Sequence, residues 1–137
     1  MDKVRENEQE LQDMIQKLGN TIVNALPQEW ECAVIGYFIV GENDVSHFQF
    51  HMRSRHSNDY IDIVNESWNS ERYDEAIVET QKICKRIRNI CTNANDQWTA
   101  MTFSLTADGA FDIDFSYDKV EDYNAAFILK WQSQYLI

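Results

Sequence analysis

At 137 residues, with 44% hydrophobic and 12% aromatic side chains, the chain can bury a core, which excludes an acidic disordered tail despite a formal charge of −11. That charge repels phosphate backbones, so nucleic acid is excluded as a direct partner and a basic protein is the natural one. The opening MDKVRENEQE is too charged for a secretory signal, and the longest apolar run, Cys32 to Val40, is nine residues where a membrane span needs about 20. A cytoplasmic protein with no membrane partner is expected.

From about Lys3 to Ala25, Leu11, Met14, Ile15, Leu18, Ile22 and Ala25 recur at three- and four-residue spacings, which predicts an amphipathic helix closed by Pro27. The run CAVIGYFIV that follows is β-branched and aromatic and reads as a central strand. After the turn Gly41 to Asp44, Val45 to Met52 sorts Phe48, Phe50 and Met52 to one side and His47, Gln49 and His51 to the other. Arg53 to Asn58 is a polar loop, and Asp59 to Val64 alternates as a third, shorter strand.

A second helix is expected from about Ser70 to Cys91. Its first half carries Glu71, Asp74, Glu75 and Glu79, and its second half Lys82, Lys85, Arg86 and Arg88, the order that a helix dipole favours. Then comes QWTAMTFSLTADGAFDIDFSYD. Met101, Phe103 and Leu105 alternate with Thr102 and Ser104, and beyond Asp108-Gly109 the set Phe111, Ile113, Phe115 and Tyr117 alternates with Asp112, Asp114, Ser116 and Asp118. Asp-Gly between two alternating runs signals a hairpin, because glycine accepts the positive φ of the turn. Asp118 and Glu121 have the spacing of an N-cap acid and its reciprocal partner, opening a last helix whose Tyr123, Phe127, Trp131 and Tyr135 form an aromatic stripe. With no repeat, linker or low-complexity stretch, residues 1–137 read as one α+β domain of order α-β-β-β-α-β-β-α, an antiparallel sheet of about five strands with helices packed on one face.

Chemistry is harder to find. Cys32, Cys84 and Cys91 form no CxxC pair, and their odd number argues for reduced thiols. His47 and His51 on a strand lie about 13 Å apart along the backbone, too far to share an ion that needs ligand atoms at about 2 Å. The glycines at 19, 36, 41 and 109 are scattered, so no phosphate loop or dinucleotide fingerprint is present. Neither a catalytic set, a metal nor a cofactor is expected. What stands out is acidity. From Thr106 to Asp122 six acids (Asp108, Asp112, Asp114, Asp118, Glu121, Asp122) face Lys119 alone, a density that sheet stability does not require and that a cationic partner could use.

The runs ALPQEWECAVIGYFIVGE and QWTAMTFSLTADGAFDIDFSYD, through Pro27, Glu29, Trp30, Trp98, Phe103, Asp108, Gly109, Phe111, Phe115, Tyr117 and Asp118, resemble the YezG-like immunity proteins. The resemblance extends from about Leu11 to the C-terminus. It implies a cytosolic antidote encoded beside a polymorphic or contact-dependent toxin whose toxic domain is commonly a nuclease, and it carries no catalytic residues. The expected partner is thus a cognate basic toxin, met by Asp112, Asp114, Asp118, Glu121 and Asp122, with Tyr60 and Trp68 as aromatic anchors. Two alternatives stay open: a ligand-binding or catalytic domain with a pocket containing His47 or His51, and a structural subunit that self-associates through its sheet edge.

Overall fold

The structure is a computed structural model that describes residues 2–67 and 71–137. The elements are α1 (Asp2–Ala25), β1 (Trp30–Val40), β2 (Val45–Ser54), β3 (Tyr60–Asp62), α2 (Ile63–Ser67), α3 (Asp74–Asn93, preceded by a 3₁₀ turn at Glu71–Tyr73), β4 (Ala100–Thr106), β5 (Phe111–Ser116) and α4 (Ala125–Tyr135). Five strands form one antiparallel sheet in the order β3-β2-β1-β4-β5. This is the α+β architecture expected from the sequence. The third strand is shorter than its pattern suggested: Asp62 Oδ1 accepts from the Val64 and Asn65 amides and turns the chain into α2.

One face of the sheet holds the larger core. Ile35, Phe50, Met52, Met101, Phe103 and Leu105 pack there against Leu18 and Ile22 of α1 and Ile83, Cys84 and Ile87 of α3. Helical spacing puts those side chains on single faces of α1 and α3, and burying each one contributes roughly 1.5–3 kcal/mol. Burial also pushes the Cys84 thiol up, so it stays protonated.

The expectation that helices share one face holds for α1 and α3 and fails for α4. Trp131, with partly buried Tyr123, Phe127 and Tyr135, packs on the opposite face against Val34, Phe38 and Val40 of β1. The cause lies in β1. Its side chains are apolar on both faces, so each face needs a cover. Gly36 makes room for that cover: a Cβ there would lie 2.7 Å from Trp131 Cζ2 and 2.5 Å from Phe38 Cζ. The start of the last helix also differs from expectation. Residues 117–124 are not helical, and the N-cap is Asn124, whose side chain accepts from the Phe127 amide, rather than Asp118. Val120 is buried and its carbonyl accepts from Gly41 N–H at 3.0 Å, which holds the segment extended across the end of the sheet.

Candidate functional site

The hairpin forms as its sequence dictates. Gly109 N–H donates to the Thr106 carbonyl, Gly109 takes φ +94°, and Thr106 N–H closes the loop on the Ala110 carbonyl at 2.9 Å. Alternation then sends Met101, Phe103, Leu105, Ile113 and Phe115 to the α1/α3 core, and Asp112 and Asp114 to the other face. Two residues placed with the core by their alternation depart from it. Phe111 is 59% exposed although it stacks on Phe103, and Tyr117 is 60% exposed, its hydroxyl donating to Asp96 at 2.6 Å.

Asp112, Asp114, Asp118, Glu121 and Asp122 are all exposed. Asp114 and Asp118 line a groove of ≈ 610 Å³ between β5 and α4, walled by Phe127 and Trp131, in which Lys119 and Lys130 supply the opposing charge. Tyr135 donates its hydroxyl to Asp114, and burial together with that bond pushes the phenol up to about 12. Asp114 is thereby held in place by α4. The turn between β1 and β2 adds acids that the sequence alone did not connect to this strip. The Gly41–Val120 hydrogen bond ties the turn that carries exposed Glu42 and Asp44 to the segment that carries Glu121, a link created by the extended path of residues 117–124.

Tyr60 is half-buried on β3, at the far edge of the sheet from β5, yet it lines with Asp112 a second groove of ≈ 450 Å³ that Tyr135 and Ile137 close. Its hydroxyl donates to the Ile137 carbonyl (3.3 Å) and lies 3.2 Å from Cys32 Sγ, and the Arg53 guanidinium sits 5.9 Å from its ring centre. Trp68 lies outside the described residues.

His47 and His51 take separate roles. His47 stacks on Tyr123 at 4.1 Å and lines a groove of ≈ 350 Å³ beside α3. His51 is buried under Trp131 and its Nε2 donates to Gln49 Oε1 at 2.5 Å, while Gln49 Nε2 donates to the Tyr123 hydroxyl. It lines none of the grooves described above, which makes it a packed and hydrogen-bonded core group rather than one presented to a ligand. Burial lowers its pKa, with Asp62 opposing. The unfolded chain therefore binds the extra proton first, and stability is lost as pH falls below the ordinary histidine value of 6.5. Melting temperatures measured between about pH 7.5 and 5.5 are expected to fall less for His51→Gln than for the native protein; parallel curves would show that His51 is not the group responsible.

Residues 11–136 match the family described as "Immunity protein YezG-like". The chain belongs to the YezG-like immunity protein family. Among its relatives, a protein named Immunity protein YezG from Bacillus spizizenii (strain ATCC 23059 / NRRL B-14472 / W23) is 27% identical over 111 residues, covering 79% of this chain and 69% of the relative. Another of the same name from Bacillus subtilis (strain 168) is 22% identical over 113 residues, covering 80% of this chain and 75% of the relative. Membership of the YezG-like family supports an immunity role for the chain. No helix among the described residues is long and apolar enough to cross a membrane.

Proposed function

We propose that this YezG-like protein acts in the cytoplasm, as one domain and without a cofactor, to bind and neutralise a cognate toxin of a polymorphic or contact-dependent system. The toxin is a nuclease, and the acidic strip from Asp112 to Asp122 occupies the basic surface that would otherwise hold nucleic acid. The observation that carries this reading is the exposure of all five acids, from edge strand β5 through the segment that crosses the end of the sheet to the turn carrying Glu42 and Asp44. Along β5 and beyond, Asp112 to Asp118 spans roughly 20 Å at strand spacing. An array of that length acts on a cationic cleft before contact and raises the encounter rate, while buried side chains at the contact supply most of the affinity.

Stopped-flow association with the cognate toxin domain tests the idea. Raising salt from about 0.05 M to about 0.5 M should slow association roughly tenfold or more and change dissociation much less, because screening acts on the approach of separated charges. An association rate indifferent to salt would remove the electrostatic mechanism.

A further inference from the structure

β5 ends the sheet, and its ladder to β4 uses one of its two edges. Thr106 N–H bonds the Ala110 carbonyl, and the register continues as Leu105↔Phe111, Ser104↔Asp112, Phe103↔Ile113 and Thr102↔Asp114. Hydrogen-bonded and non-bonded positions alternate in an antiparallel pair. Counting from the Thr106–Ala110 pair, the backbones of Asp112, Asp114 and Ser116 face β4, and those of Phe111, Ile113 and Phe115 face away from the sheet. Among the described residues nothing else bonds those outward amides and carbonyls. The side chains along this open edge repeat with it: apolar Phe111, Ile113 and Phe115 toward the α1/α3 side, Asp112 and Asp114 toward the α4 side.

An open edge of this kind is a template for another strand, and its side chains decide which one. A second copy of β5 paired antiparallel would set aspartates against aspartates, and like charges facing across strands are destabilising. A strand with lysine or arginine at alternate positions turns the same positions into favourable cross-strand pairs. Resting on the toxin-binding reading above, we infer that the toxin docks by adding an extended segment to β5, with basic residues opposite Asp112 and Asp114 and apolar ones beside Phe111 and Ile113. Main-chain hydrogen bonds hold the added strand, and the aspartates set its register and exclude self-pairing. Neutralisation then depends on a backbone edge as well as on charge.

Amide exchange measured residue by residue by NMR, in the free protein and in its complex with the cognate toxin domain, separates the two contributions. Asp112 and Asp114 amides exchange slowly in both states, since β4 already holds them. Those of Phe111, Ile113 and Phe115 exchange fast when free and are expected to slow by about 100-fold or more in the complex. Phe111→Pro removes one outward amide without touching the β4 ladder, and should bind about tenfold more weakly than Phe111→Ala, which loses the same ring and keeps the N–H. Unprotected odd-numbered amides in the complex, or equal affinity of the two Phe111 variants, would overturn strand addition. So would protection of those amides that rises with the concentration of the free protein, because that is self-pairing. If Asp112→Lys/Asp114→Lys abolishes binding while the odd-numbered amides stay fast in the native complex, only strand addition fails; if the reversed protein binds as the native one does, the acidic-surface reading fails with it.

Discussion

Replacing Trp131 by alanine is expected to cost about 3–5 kcal/mol, the range for deleting a buried large aromatic side chain, and to detach α4 from the sheet. Trp131 is 6% exposed and donates from its indole Nε1 to Thr102 Oγ1 at 2.9 Å. Its ring meets Phe38 edge-on at 5.5 Å and stands over the space that Gly36 leaves empty. Trp131 is the one buried residue of the helix, and the half-buried Phe127 and Tyr135 pack around it. A Trp131→Phe variant keeps an aromatic body but leaves the buried Thr102 hydroxyl without its donor, so an intermediate loss of about 1–3 kcal/mol is expected. Urea unfolding monitored by far-UV circular dichroism measures both. A cost below about 1 kcal/mol for the alanine variant would show that the β1 face is covered by other means. The consequence reaches the acidic strip, because Tyr135 holds Asp114 from the same helix.

The hairpin was legible in the sequence because its information is local. Period-two alternation, an Asp-Gly turn and the pleat alone determine which side chains share a face, so Asp112 and Asp114 fall where their spacing puts them. The placement of α4 was not legible in the same way. A stripe of aromatics four apart says that a helix packs, but the choice of sheet face is a long-range matter settled by the surface that remains uncovered. The signal was nevertheless present in CAVIGYFIV, an unbroken apolar run of the kind shown by strands buried on both faces, with a mid-strand glycine marking a close approach. The Asp118 cap misled because its spacing to Glu121 satisfies a local rule, whereas burial of Val120 and its bond to Gly41 win by tertiary contact. That same contact explains why Glu42 and Asp44, nearly 80 residues from Glu121, were absent from the acidic set read along the chain.

Reversing Asp112 and Asp114 together to lysine should weaken toxin binding by at least about 100-fold, or roughly 2.7 kcal/mol, and abolish protection of cells that express the toxin. Like charge against a cationic surface costs several kcal/mol when the groups are close, so two reversals exceed what loss of steering alone would remove. Folding should survive, because both side chains are exposed on an edge strand and neither forms an ion pair within the chain among the described residues. The amide variants Asp112→Asn and Asp114→Asn grade the effect: each removes a charge, and asparagine at 114 still offers an oxygen to the Tyr135 hydroxyl. A matched control is available on α3, where Asp74 and Glu75 are exposed in its first turn. Asp74→Lys/Glu75→Lys changes the net charge of the protein by the same amount at a different place, so a purely global field would weaken binding in both double variants alike. Calorimetric titration that finds the β5 pair impaired and the α3 pair close to native would assign the effect to the hairpin. Equal impairment would assign it to the overall charge of −11 instead, and an unimpaired β5 pair would place the toxin on another surface.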